Sequence, residues 1–155
     1  MDEKDSLRLL DSRRHLEQKL GVLEEDRFSC CGVSLAQCHA LVEIGRAGRL
    51  SLMELAALLN LDTSTMSRTV EKLVKGKLAR READVNDRRY IRIYLTEKGK
   101  ELHAIIEEQM KAYYDKVLAD IPADKRAQVL ESLELLCNAI DIRDCCKGMR
   151  GCKGK

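Results

Sequence analysis

With 155 residues and a mass of 17.6 kDa, the chain has room for one protomer and none for a multidomain machine. Charged residues make up 35% and aromatics 3%, with a single Phe, a single Pro and no Trp. That composition favours helices over a β-sandwich or barrel, and a 45% hydrophobic share excludes collagen-like and wholly disordered chains.

Residues 5–25 read as a helix, with Leu9, Leu16, Leu20 and Leu23 at helical spacing and charges between them. Asp26 to Gly32 breaks the pattern. Ser34-Leu35-Ala36-Gln37 forms a capping box that opens a second helix through Ile44, with Gly45 and Gly48 expected to end it. A second box, Ser51-Leu52-Met53-Glu54, starts a short helix whose Leu55, Leu58 and Leu59 are expected to face inward. After the turn at Asn60-Leu61, Asp62 or Thr63 caps a helix to about Lys75, with Met66, Val70, Leu73 and Val74 on one side. Gly76 is the expected left-handed stop.

Leu78 to Glu82 and Arg89 to Leu95 alternate as strands do, with Ile91, Ile93 and Leu95 on one face and Arg92 and Tyr94 on the other. Residues 83–88 between them form a polar hairpin tip. Thr96 caps a long helix carrying Leu102, Ile105, Ile106, Met110 and Val117, which Asp120-Ile121-Pro122 interrupts. The next helix holds Val129, Leu133, Leu136 and Ile140 on one stripe, and a Cys-, Lys- and Gly-rich tail of residues 141–155 follows.

The net charge is only +2, but between Asp62 and Arg92 nine basic residues outnumber five acids. A basic middle between neutral flanks is what a phosphate-facing surface requires. Two short helices, a polar turn, a hydroxyl-rich helix start and a basic hairpin compose a winged helix-turn-helix, mainly α with a small β wing. Thr63, Ser64, Thr65, Ser67 and Arg68 then stand where a recognition helix meets base edges and phosphates in duplex DNA, with Lys72 one turn further on. Arg88 and Arg89 at the hairpin tip suit the adjacent minor groove, where A·T-rich tracts concentrate negative potential.

These residues carry a family likeness. Leu55-Ala56-Ala57-Leu58-Leu59-Asn60, Thr63 to Arg68, Asp87-Arg88-Arg89 and Leu95-Thr96-Glu97-Lys98-Gly99 resemble the multiple-antibiotic-resistance regulator (MarR) family, over roughly residues 5–140. The resemblance implies a single protomer of residues 1–140. Dimerisation helices at about 5–25 and 97–140 would flank a winged-helix lobe at about 33–96. It implies an obligate homodimer reading a pseudo-palindromic operator, and an ion pair from Asp87 that pins a wing arginine, with Arg89 expected in that role. It also implies repression that ends when an effector binds between the dimer-forming helices and the lobe. Apolar stripes on the first and last helices, which a small winged core cannot cover, favour the dimer independently.

Enzyme signatures are absent: the chain has no Gly-rich phosphate loop, no His-Glu metal motif and no Gly-x-Ser-x-Gly turn. No apolar stretch reaches the roughly 18 residues that span a bilayer. The charged start Met1-Asp2-Glu3-Lys4-Asp5 lacks an apolar signal core, so a cytoplasmic protein away from membranes is expected. A winged helix that binds only other proteins is the other class of function, and weak or salt-insensitive binding to duplexes would mark it.

Seven cysteines stand outside the family likeness. Cys30, Cys31 and Cys38 form one trio, and Cys145, Cys146 and Cys152 another. Adjacent cysteines pair poorly with each other, but with a third thiol they can surround one soft ion. Three thiolates suit As(III) or Sb(III), and also Hg(II), Cd(II) or Pb(II), so a thiophilic metalloid or metal is the favoured effector. DNA binding itself needs no cofactor. Nearby Arg27, Lys147, Arg150 and Lys153 favour thiolates. An oxidant or electrophile sensor is the rival reading, and an aromatic small-molecule effector with incidental cysteines is a third. Cys38 and Cys137 fall on apolar helix faces and also read as small buried hydrophobes.

Overall fold

The computed structural model describes residues 3–28, 32–84, 87 and 89–140, without the side chains of Glu3 and residues 22–28. The elements run α1 (Glu3–Phe28), α2 (Leu35–Ala47), α3 (Leu52–Leu58), α4 (Thr63–Lys75), β1 (Ala79–Ala83), β2 (Ile91–Leu95), α5 (Glu97–Ala119) and α6 (Ala123–Ala139). Among the described residues, six helices and one two-stranded antiparallel sheet make the fold mainly α with a β wing. The chain divides within α5 into one unit up to Glu108 and another from Gln109. None of the described helices is long and apolar enough to cross a membrane.

The first unit is built around a core of Leu41, Ile44, Leu55, Met66, Val70, Leu73 and Ile93, each at most 1% exposed. Burying each large aliphatic side chain contributes about 1.5–3 kcal/mol, which is what holds α2, α3, α4 and the sheet together. Both capping boxes close as the sequence requires. Ser34 N donates to Gln37 Oε1 at 3.0 Å, and Ser51 N donates to Glu54 Oε2 at 2.7 Å. The strands pair Ala79 with Leu95 and Ala83 with Ile91. Leu50 adds a third partner by exchanging two backbone hydrogen bonds with Ile93, at 3.2 and 2.8 Å.

Several expectations are corrected. The first helix continues to Phe28. Gly45 does not end α2; it lies inside the helix, and a Cβ there would come within 2.4 Å of the His103 ring. This glycine is therefore the space that α5 packs its histidine into. Gly76 is right-handed (φ −73°), and the left-handed residue is Lys77 (φ 58°). Lys77 N donates to Val74 O and Leu78 N to Leu73 O, both at 2.9 Å, closing a Schellman motif one residue later than the glycine suggests. Leu78 and Leu73, both buried, supply the hydrophobic contact of that motif. Leu58 (55% exposed) and Ile91 (52%) face outward, because α3 spans only seven residues and Ile91 lies at the wing end of its strand. Val74 stands at the margin of the buried side of α4.

In the second unit, α6 buries none of its residues: Val129, Leu130, Leu133 and Leu135 are exposed in the single chain, as is Ile140 just past its end. Pro122, with its backbone fixed at φ −50°, stands as the residue before this helix and contributes no side-chain cap.

Candidate nucleic-acid interface

Asp62 organises the start of α4. Its carboxylate accepts from Thr65 N at 2.8 Å, from Thr65 Oγ1 at 2.6 Å and from the Ser64 hydroxyl. These hydrogen bonds, Ser64 first, hold the Asp62 carboxyl well below the usual carboxylate range. They also assign the polarity of the surface. Ser64 and Thr65 spend their hydroxyl protons on Asp62, so each presents only acceptor lone pairs outward. Acceptors match the amino groups of adenine and cytosine in the major groove.

At 100° per residue, Ser64, Arg68, Glu71 and Lys75 form the outward face of α4, opposite the buried Met66, Thr69, Val70 and Leu73. Thr63 is exposed on one flank beside the half-buried Ser67, and Thr65 is half-buried on the other. Sequence reasoning passed over Glu71, an acid on this face that pairs with Lys75 at 2.9 Å. That i,i+4 pairing was its one available signal. Lys72 is exposed, and it lines a cavity of about 420 Å³ with Gln37, Lys98, Glu101 and Leu102. Seven residues on from Thr65, Lys72 continues the Thr65 flank of α4 two turns further along the helix.

At the wing, Asp87 and Arg89 form a fork. Arg89 Nη2 donates to Asp87 Oδ2 at 2.8 Å, and Arg89 Nε reaches Oδ1 and Oδ2 at 3.0 and 3.2 Å. Arg89 N adds a bond to Oδ1 at 3.1 Å. The guanidinium keeps the Asp87 carboxyl low, and the Arg89 side chain remains 87% exposed. The arginine is thus aimed by one edge and open on the other. Arg88 lies outside the described residues.

Arg92 was read from the sequence only as an alternating strand residue. It donates from Nη1 to Glu54 Oε2 at 2.6 Å and from Nε to Asp84 Oδ2 at 2.7 Å. Separations of 38 and 8 residues left no local signal of either bond.

Of the proposed thiol ligands, Cys38 is a core residue of α2, 1% exposed, as its apolar helix face suggested. Cys137 is instead exposed on α6. Cys30, Cys31, Cys145, Cys146 and Cys152 lie outside the described residues, among which no three His, Cys, Asp or Glu side chains are grouped to hold a metal ion.

Removing the Asp62 cap should lower stability, and its pH dependence identifies the group. A carboxylate whose folded pKa is depressed contributes fully above its unfolded pKa, and that contribution fades as pH falls through the folded value. Asp62→Ala should therefore lower the urea midpoint at pH 7, with the gap to wild type undiminished at pH 5 and closing only below about pH 4, the ordinary range of an aspartate. Asp62→Asn should recover much of the loss, because Asn also caps helices. A gap already closing between pH 6 and 5 would show that another group is responsible.

Comparison with known proteins agrees with this fold. A model of the MarR family matches residues 32–89. The chain is 28% identical over 116 residues to the HTH-type transcriptional regulator BilQ of Clostridium symbiosum, covering 75% of this chain and 81% of that protein. A MarR family protein from Bacillus stearothermophilus superposes with a TM-score of 0.80 at 22% identity, over 89% of this chain and 96% of that one. FabT of Streptococcus pneumoniae, solved in complex with DNA, gives a TM-score of 0.72 at 21% identity, covering 88% and 96%.

Proposed function

Because this chain belongs to the MarR family of winged-helix transcriptional regulators, non-enzymatic proteins that bind DNA, we propose that it is a homodimeric repressor. In this reading Thr63, Ser64, Thr65, Ser67 and Arg68 meet the major groove and the wing arginines Arg88 and Arg89 the minor groove, with Lys72 reaching a phosphate at the edge. The observation that carries it is the pairing of an acceptor-rich face at the start of α4 with a wing arginine held by Asp87. The exposed leucines of α6 favour a second copy as their cover, since lone apolar faces of this kind mark association surfaces.

For the effector we propose a thiophilic ion, As(III) or Sb(III) above all, taken by cysteine thiolates and releasing the operator. Two Cys-Cys pairs support this chemistry, and Cys30-Cys31 directly precedes Gly32 and Val33, which line the 420 Å³ cavity beside α4 and α5. Cys38 is buried in the core of its lobe, so Cys30 and Cys31 with tail thiols from either chain are the preferred set. A ligand that releases DNA must favour a state of the dimer that cannot grip both half-sites.

The test begins with duplexes selected from a random pool. The protein should bind them as a dimer, with log affinity falling steeply against log salt, as phosphate contacts require. The reduced protein is then titrated with arsenite, Cd(II), Zn(II) and peroxide while operator release and free thiols are followed together. Release with three thiols consumed per arsenic is expected, and Cys30→Ser with Cys145→Ser should abolish it. Disulfide formation and release under peroxide alone would replace the metalloid by an oxidant. Release by arsenite that survives both substitutions would remove the thiols from the mechanism.

A further inference from the structure

We propose that Arg92 is a positioning residue for DNA binding: its guanidinium, clamped between Glu54 and Asp84, sets the angle of the wing against the helix-turn-helix. The inference rests on the DNA-binding reading above and assigns a device within it.

Three elements meet at this guanidinium. Glu54 belongs to the first turn of α3, Arg92 to β2, and Asp84 to the point where β1 leaves for the wing tip. The Glu54 oxygen that accepts from Arg92 at 2.6 Å also accepts from Ser51 N at 2.7 Å, so the capping box of α3 and the wing share one atom. Asp84 is 6% exposed, and its N–H donates to Tyr90 O at 2.7 Å, closing the hairpin just below the tip. One residue before the capping box, Leu50 pairs with Ile93 next to Arg92. Hydrogen bonds of the sheet and of the cap therefore converge on the two carboxylates that Arg92 holds.

A fixed wing matters because its tip must enter one groove while α4 occupies the next. A two-stranded hairpin is marginal alone and twists readily. The ladder between β1 and β2 fixes register but leaves the pitch of the tip to whatever ties the hairpin to the lobe. Arginine suits this task, because its planar fork donates in two fixed directions and a lysine ammonium does not. The Glu54 side of the clamp is open to solvent and adds little stability, so its effect should appear in where Arg89 is delivered more than in the melting temperature. The buried Asp84 carboxylate depends on Arg92 for compensation, so that side also contributes to stability.

Charge gives the test its discriminating sign. Glu54→Gln keeps one oxygen that Ser51 N and Arg92 can share, and so keeps the cap, but it reduces the clamp's charged bond to a neutral one while removing a negative charge from a DNA-binding lobe. Simple electrostatics expects tighter duplex binding, whereas a weakened clamp expects weaker binding. On duplexes selected by the wild-type dimer, Glu54→Gln and Asp84→Asn should each weaken binding severalfold, with the melting temperature of Glu54→Gln close to wild type. Arg92→Ala should weaken it about tenfold, and Arg92→Lys should resemble Ala despite keeping the charge, since a point charge cannot span both carboxylates. In an Arg89→Ala background Arg92→Ala should have almost no additional effect, because a residue that acts through the tip has nothing left to aim. The proposal is overturned if Glu54→Gln binds as tightly as wild type or tighter, if Arg92→Lys binds like wild type, or if the Arg89 and Arg92 effects add. Should the wild type itself show no salt-dependent duplex binding, the DNA-binding reading fails first and the clamp with it.

Discussion

Replacing Gly99 with alanine should cost about 3 kcal/mol or more of folding stability and lower the melting temperature by roughly 10 °C, the largest effect expected of alanine at any of the described glycines. A Cβ at Gly99 would lie 1.9 Å from Leu78 O and 2.9 Å from Leu78 C. Neither atom can step aside. Leu78 O accepts from Thr96 N at 3.0 Å, and the adjacent Lys77 O accepts from Thr96 Oγ1 at 2.6 Å. Thr96 Oγ1 in turn accepts from Gly99 N at 3.1 Å, so the start of α5 is laced to the exit of α4 on both sides of the glycine. A methyl group would have to force the first turn of α5 away from that junction. Gly21 supplies the control, because a Cβ there meets nothing within 4 Å. Gly21→Ala sits mid-helix and should raise stability by about 0.5–1 kcal/mol. Thermal unfolding of the two variants should therefore shift in opposite directions. A Gly99→Ala protein that melts with wild type would show that α5 does not approach the Leu78 carbonyl.

The same junction separates what could be read along the chain from what could not. The capping boxes at Ser34 and Ser51 were legible because donor and acceptor lie three residues apart, and a Ser three positions before Gln or Glu has few competing uses. The cap at Asp62 and the Asp87–Arg89 fork are equally local, with separations of three and two residues. Gly45 was misread as a helix end because its reason lies 58 positions away, in the ring of His103. The left-handed turn fell on Lys77 because the register of the Schellman motif is set by burying Leu78 against Leu73, which outweighs the small backbone cost of φ 58° at a lysine. Glu54 and Arg92 are each ordinary residues for their helix and strand. Only the folded lobe, which brings positions 54, 84 and 92 together, makes them a unit.

Arg89→Ala should leave the fold intact and weaken operator binding about tenfold to a hundredfold. An 87% exposed side chain that bonds only a neighbour two residues away does not hold the core, so melting should be unchanged. The loss should carry a signature of place. A guanidinium inserted in a narrow minor groove gains most where A·T pairs compress that groove, so changing the operator's outer A·T pairs to G·C should weaken wild type and leave Arg89→Ala nearly indifferent. Arg89 contacting only phosphate would instead lose affinity evenly across sequences, with the salt slope falling by about one. Asp87→Asn separates aiming from charge. It removes an anion beside the duplex, which favours binding electrostatically, but it loosens the fork of three hydrogen bonds that holds the guanidinium. Weaker binding by Asp87→Asn would place the value of the pair in orientation. Tighter binding would mean that Asp87 is a charge the wing tolerates, and unchanged affinity and footprint in Arg89→Ala would take the wing out of the interface.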